Sequence, residues 1–398
     1  MDIMFISRRG SMYEYFLFLS AHSNFNTCVY DFSLRPYFRS TISELASVEV
    51  SKGIAFQLQR KKVKYRLPDW LWFLIERYYR FKFHYLFRRF SWLIEHHSPK
   101  CIAIFNGNRL PEQVIKNIAK KSYIPVIHFE NGLLPNTTTF DLLGVNNSNS
   151  LPRSAAFYAN YKAIGMDDTI VETTLVQRSF HRLKRNYVQH PNFHLQLPKK
   201  FIFVPLQVLF DSQVLLNSPN IKTMRELYDW IEFSTLNCTD ESLHFVVKEH
   251  PSDPHRYTDL YNRHSRIMFS NKTTQELIEK SDAVVTLNSS VGIESLCLGK
   301  RVFVLGASCY AIKGITTPIA SKEELSQQIN GLENWQLDLS LVNKFIAYVK
   351  DVYCVPISWR MPNQVHLDNL DKRFKRLLSS QAPSVDNSIN HLKTGKPV

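Results

Sequence analysis

Short apolar runs separated by longer mixed segments set the rhythm of this chain. In its first half, Ile3 to Ser7, Thr27 to Phe32, Cys101 to Asn106 and Pro125 to Phe129 are each long enough for one strand, and helical periodicity fills several intervals between them. Phe201 to Leu206, His244 to Lys248, Ile267 to Ser270, Ala283 to Leu287 and Arg301 to Leu305 repeat the arrangement, with helices predicted near Lys222 to Phe233, Thr274 to Lys280 and Val291 to Leu298. Continuously apolar strands that alternate with helices belong to a parallel sheet covered on both faces, so the pattern predicts an α/β fold of two Rossmann-like halves.

Between Tyr187 and Lys200 the residues His190, Pro191, Leu197, Pro198 and Lys199 break the periodicity and predict a linker. The expected division is a first domain over 1–195, a second over 196–335, helices over 336–378 packing across both, and a flexible tail over 379–398. A length of 398 residues, long for a single core, agrees with two domains.

Charge narrows the partners. A formal net charge of +14 calls for a polyanion: nucleic acid, an anionic membrane face or a phosphorylated substrate. No nucleic-acid-binding motif accompanies it, so that class has no support. Cys28, Cys101, Cys238, Cys297, Cys309 and Cys354 are scattered without metal-ligand spacing and read as reduced core residues, which points to a cytoplasmic protein. Met1 to Ser7 followed by Arg8, Arg9 and Gly10 has no secretion-signal character, and no apolar run approaches the ~20 residues of a membrane span. Any membrane contact is therefore expected to be peripheral. The segment from Pro68 to His97 fits that role or a plainer one: aromatic residues from Trp70 to Trp92 interleave with Arg77, Arg80, Lys82, Arg88 and Arg89. Such a helix suits an anionic bilayer surface or simply buries its aromatics in the first domain.

Ligands of open parallel sheets bind beyond the carboxyl ends of strands, so the residues there are the candidates for chemistry. Asp282 to Gly306 runs from a strand into Asn288, Ser289 and Ser290 and then a helix, a layout that offers amides and hydroxyls to a phosphate. Glu294, one turn inside, suits a ribose, and the same segment is also compatible with an ordinary strand and a serine cap. Gln207 to Gln213 places Asp211 in a loop, as nucleophile or as helix cap. After the next strand, Glu249, His250 and Pro251 present an imidazole that can shuttle a proton or donate to phosphate, or else serve the core. Glu130, Asn131 and Gly132 open a long polar loop reaching Asn147, which makes Glu130 an acid or base candidate. Lys313, near Tyr310 and Gly314, completes the set as a cation for a phosphate or carboxylate.

In their order along the chain, Gln207 to Ser212, His250 with Pro251, and Asn288 to Glu294 followed by Gly299, Gly306, Tyr310 and Gly314 resemble the capsule polysaccharide synthesis family. These are the retaining β-Kdo glycosyltransferases of KpsC, KpsS and WbbB type. Glu130, Asn131 and Gly132, with Leu143, Gly144, Val145 and Asn146, add to a likeness that covers roughly Ile104 to Thr316. The resemblance implies a GT-B-like enzyme, two Rossmann-like domains with parallel sheets facing a central cleft. It implies transfer of Kdo from CMP-β-Kdo, with net retention, to a glycan or lipid-linked acceptor of bacterial capsule or lipopolysaccharide biosynthesis.

By the same resemblance Asp211 is the nucleophile, Glu130 the acid or base and His250 a third catalytic group. Gln207, His250, Pro251, Asn288, Ser289, Ser290, Glu294 and Lys313 hold CMP and its phosphate. No resident cofactor is implied, and the absence of an Asp-x-Asp motif leaves no metal expected. Location at the cytoplasmic face of the inner membrane would follow, without a nucleic-acid partner. The chain carries a single set of these clusters, whereas KpsC-like proteins carry two modules. Another nucleotide-sugar enzyme, sialyltransferase-like or epimerase-like, is the competing expectation, and a non-catalytic membrane-surface or polyanion-binding protein a more distant one.

Overall fold

The computed structural model describes residues 1–42, 47–162 and 196–380. From the N-terminus come β1 (Ile3–Ser7), α1 (Ser11–Ala21), β2 (Thr27–Asp31), α2 (Ser47–Lys64), α3 (Asp69–His97), β3 (Cys101–Phe105), α4 (Leu110–Lys121), β4 (Val126–Asn131) and β5 (Thr137–Asp141). A second series follows: α5 (Ala155–Ala159), β6 (Phe201–Pro205), α6 (Ser212–Asn217), α7 (Met224–Leu236), β7 (His244–Lys248), β8 (Ile267–Phe269), α8 (Thr274–Lys280), β9 (Ala283–Thr286), α9 (Val291–Cys297), β10 (Arg301–Val304), β11 (Thr317–Pro318), α10 (Lys322–Asn330) and α11 (Leu339–Tyr348). The chain closes with β12 (Cys354–Pro356) and α12 (Gln364–Ser379).

Two compact units result, one of Met1–Pro152 with the segment from Tyr353 onward, the other of Arg153–Val352. The division falls at Pro152, not near 195. The cause is α5, whose buried Tyr158 packs edge-on against Phe345 and Tyr348 of α11 and so ties the segment after Pro152 to the second unit. Most of the predicted linker, and the tail beyond 380, lie outside the described residues. The helices expected to pack across both domains divide instead: α11 belongs to the second unit and α12 to the first.

The sheet of the first unit runs β12-β5-β4-β3-β1-β2, parallel except where β5 pairs antiparallel with β4 and β12. Every residue of β1 and β3 is buried, and alternate residues serve opposite faces. Met4, Ile6, Ile102 and Ile104 pack with α3 and α4 residues such as Phe83, Phe90 and Ile115, whereas Ile3, Phe5, Ala103 and Phe105 pack with Phe16 of α1 and Phe374 of α12. Two-sided burial is why these strands read as unbroken apolar runs. The sheet of the second unit, β11-β10-β9-β6-β7-β8, is parallel throughout and repeats the scheme. Ile202, Val204, Phe245 and Val285 meet α7 and α10 on one side, while Phe203, Val246 and Val284 meet Leu277 and Ile278 of α8 on the other.

The loop expected after Glu130 is a hairpin: Glu130 pairs with Thr139 and Asn131 with Thr138 across β4 and β5. Polar threonines disguise this strand, yet Thr138 and Thr139 are buried with hydroxyls satisfied by Ile357 O at 2.9 Å and Asn131 O at 3.1 Å. Asp141 then ties the following turn by accepting from the amides of Leu143, Gly144 and Ser150 and from the Ser150 hydroxyl. That accounts structurally for Leu143, Gly144 and their neighbours. Gly132 sits at the hairpin's mouth, where an added Cβ would lie 1.8 Å from Thr137 Oγ1 and 2.6 Å from the Thr137 carbonyl carbon. Backbone cannot yield as a side chain can, so Gly132→Ala is expected to destabilise the first unit by about 1–3 kcal/mol in urea unfolding. Gly331→Ala, at φ −89° and with no new neighbour nearer than 3.7 Å, is the control for losing a glycine without crowding.

Candidate functional site

The ends of β6 and β9 meet through two buried amides. Gln207 Nε2 donates to Asn288 Oδ1 at 3.1 Å, and Asn288 N returns a bond to Gln207 Oε1 at 3.2 Å. Asn288 Nδ2 then donates to the carbonyls of Gln213 and Asn217 at 3.1 and 3.0 Å, fastening α6. Ala307 N donates to the same Asn217 carbonyl at 2.7 Å, and Gly306 comes so close that a Cβ would sit 2.9 Å from it. Gln207 and Asn288 are 7% and 1% exposed, so both build the floor of the site.

Ser289 engages the first amides of α9 itself: its Oγ accepts from Val291 N at 3.3 Å and its carbonyl from Gly292 N at 3.0 Å. Ser290 makes no side-chain cap; its hydroxyl donates to Glu294 Oε1 at 3.3 Å. Tyr310, wholly buried and with its phenol pKa pushed up by burial, donates to the Ser289 carbonyl. Its ring lies flush on Gly292, where a Cβ would be 2.5 Å from the ring edge. The two half-buried serine hydroxyls, rather than helix amides, are what this segment has to offer a ligand.

Asp211 is exposed and caps α6, Oδ1 accepting from Gln213 N at 2.9 Å. The capping alternative is realised and takes one carboxylate oxygen. His250 is half-buried, and its Nδ1 accepts from Ser252 N at 3.1 Å, which leaves the proton of the neutral ring on Nε2. Pro251 follows in the same turn. The preceding Glu249, 4% exposed, organises the next loop by accepting from Tyr257 N, Tyr261 Oη and Arg256. Lys248 closes β7 with its ammonium on the Lys272 carbonyl, and burial lowers its pKa to about 8. Lys313 is exposed beside Gly314, which needs its φ of 97°. Among the described residues no cluster of His, Cys, Asp and Glu is arranged to hold a metal.

In the first unit Glu130 is the penultimate residue of β4, with Oε2 accepting from Asn106 Nδ2 at 2.8 Å and Oε1 from Asn131 N at 3.0 Å. Asn106 adopts φ 62°, and its carbonyl accepts from His128 Nδ1 at 3.0 Å. The His128 ring fills the space a side chain at Gly107 would need, 2.6 Å from the Cβ position. Trp359 Nε1 holds Asn131 Oδ1 at 3.0 Å. Thus Gln207, Asn288 and the helix headed by Asp211 form one network, with Ser289 and Tyr310 adjoining it. Glu130 belongs to the other unit. Glu249, Asn106, His128 and Trp359 escaped the sequence reading; the strand-end position of Glu249 and the Asn-Gly step at 106–107 were the available signals.

These features define a two-unit Rossmann-like α/β protein with polar side chains gathered at the strand ends of each unit. Residues 160–334 match the family model described as capsule polysaccharide biosynthesis protein, and over this segment the chain is similar to that family. Protein FixF of Sinorhizobium fredii is 34% identical over 262 residues, 66% of this chain and 61% of FixF. The capsule polysaccharide export protein KpsS of Escherichia coli is 32% identical over 136 residues, 32% of this chain and 35% of KpsS. The chain therefore spans less than two thirds of either relative. Among solved structures, the β-Kdo 2,7 transferase of Thermosulfurimonas dismutans KpsC aligns with a TM-score of 0.41 at 18% identity, over 71% of this chain and 88% of that one.

Two measurements check the packing. Gly292→Ala must displace the Tyr310 ring and is expected to cost about 1–3 kcal/mol, while Tyr310→Phe, losing one hydrogen bond, costs about 0.5–1.5 kcal/mol in the same urea assay. In the first unit, burial, with Lys116 adding to it, holds the pKa of His128 down to about 4 from 6.5. Between these values the unfolded chain binds a proton that the folded chain refuses, so stability rises with pH from 4 to 6.5 and falls on acidification through that window. His128→Gln, which can still donate to the Asn106 carbonyl, should flatten the dependence by up to about one proton when unfolding is compared at pH 4.5 and 6.5.

Proposed function

We propose that the protein is a retaining β-Kdo glycosyltransferase of GT-B type that uses CMP-β-Kdo to build bacterial capsule or lipopolysaccharide. The observation that carries this reading is the family match over 160–334, the segment that contains Asp211, His250, Asn288 to Glu294 and Lys313. In this mechanism Asp211 attacks the anomeric carbon of Kdo and the bond to the CMP phosphate oxygen breaks, leaving a covalent adduct with inverted configuration. An acceptor hydroxyl then gives its proton to Glu130 and attacks the same carbon, expelling Asp211 and inverting a second time, so retention is the net result.

The phosphate of departing CMP meets Lys313, the Nε2–H of His250 and the hydroxyls of Ser289 and Ser290. Glu294, already accepting from Ser290, is assigned to the nucleoside. The enzyme works on a glycan or lipid-linked acceptor at the cytoplasmic face of the membrane. No described helix is long and apolar enough to span the bilayer.

Asp211→Asn is a clean test because asparagine caps a helix as well as aspartate does while losing the nucleophilic oxygen. Folding should be unchanged and CMP release from CMP-Kdo should fall by at least about 10³-fold. Full activity in that variant removes Asp211 as nucleophile. Stabilisation of the wild type by CMP but not by UDP or GDP in thermal melts separates this donor from those of other nucleotide-sugar enzymes.

A further inference from the structure

Beyond the carboxyl ends of β1 and β2, the first unit has a groove of about 510 Å³, within the ~300–1,000 Å³ range of small-ligand sites. Arg8 and Arg9 enter it directly from β1, Lys61 and Gln57 from α2, and Tyr78 and Lys82 from α3. Two of the cations are aimed by carboxylates. Arg8 donates through Nε and Nη2 to the two oxygens of Glu112, a carboxylate 4% exposed, which leaves Nη1 for another acceptor. Arg9 Nε donates to Asp31 Oδ2 at 2.5 Å while its side chain stays 70% exposed. Four cations face two carboxylates, so the groove carries an excess of two positive charges.

Gln57 supplies an independent sign. It is 9% exposed, it lines the groove, and its Oε1 is buried without a hydrogen-bond partner. A buried carbonyl oxygen left in this state costs about 1–3 kcal/mol, and only a donor can relieve it. An excess of cations wants an oxyanion, and the adjacent orphan acceptor wants a hydroxyl.

We infer that this groove binds a phosphate or carboxylate oxyanion that carries a neighbouring hydroxyl, the oxyanion on Arg8, Arg9, Lys61 and Lys82 and the hydroxyl on Gln57. Glycerol phosphates and hydroxylated sugar acids have this chemistry, free or as the headgroup of a lipid. The row Trp70, Phe73, Leu74, Tyr78 and Phe81 on α3, between 51% and 66% exposed, stands beside the groove's own Tyr78 and Lys82 and gives a lipid source a place to rest.

The probes are glycerol 3-phosphate and inorganic phosphate, titrated calorimetrically into the full chain, and vesicles of phosphatidylglycerol or phosphatidylcholine in sedimentation. Saturable binding of glycerol 3-phosphate is expected, weakened about 10-fold or more by Lys61→Gln with Lys82→Gln. Gln57→Leu should weaken glycerol 3-phosphate at least about threefold while leaving inorganic phosphate unchanged. Tighter binding to phosphatidylglycerol vesicles than to free glycerol 3-phosphate, lost in the double variant, identifies the lipid source; binding of the free anion alone identifies a soluble one. The inference is overturned if neither soluble anions nor anionic vesicles bind, or if the double variant binds as the wild type does. Should the double variant melt early, Lys82→Gln alone decides, with a loss of about threefold expected and none overturning. This titration addresses the first unit and the Asp211→Asn assay the second, so the two readings fail separately.

Discussion

The reciprocal amide pair of Gln207 and Asn288 is the constraint on which the second unit's strand-end region depends. Buried amides must place every donor and acceptor, and Asn288 does so by holding one strand end, the Gln213 and Asn217 carbonyls at the two ends of α6 and the approach of Gly306. Once those bonds are made, the position of α6 is fixed, and with it Asp211 at its head. The same residue starts the turn through Ser289 and Ser290, so nucleophile candidate and phosphate candidates share one anchor. A hydrophobic substitute at 288 would leave the buried Gln207 Nε2 without its acceptor and strip the side-chain donor from the Gln213 and Asn217 carbonyls.

The first unit achieves a comparable result by a different chain of contacts. Burial keeps His128 uncharged down to about pH 4, so near neutrality it serves as a neutral donor to the carbonyl of Asn106. Asn106, in left-handed backbone, turns its amide onto Glu130. A carboxylate with both oxygens already accepting is restrained in orientation before any acceptor arrives, which is how positioning contributes to proton transfer.

Much of this was legible in the sequence. Two-sided burial writes β1, β3, β6, β7 and β9 as apolar runs, and their ends followed at once, because a parallel strand stops where its polar loop begins. What escaped was governed by distant partners. β5 reads as a polar loop because its central threonine, Thr138, is satisfied by residues more than two hundred positions away, Ile357 and Trp359. The boundary at Pro152 was hidden because α5 is only five residues long and owes its place to aromatic contacts with α11. The long helix α3 divides its aromatics: Phe83, Phe87 and Phe90 enter the core, as one of its two readings expected, while Trp70, Phe73 and Phe81 remain exposed.

The discontinuity of the first unit bears on how the protein is made. Its outer strand β12, with Trp359, His366 and Phe374 of its core, is translated after the whole of the second unit. Until about the final tenth of the described chain has left the ribosome, β5 has an open edge and Asn131 lacks its indole partner. Domains generally fold as units during synthesis, so here the second unit is complete first and residues before Pro152 must wait for the segment from Tyr353 onward to close around them.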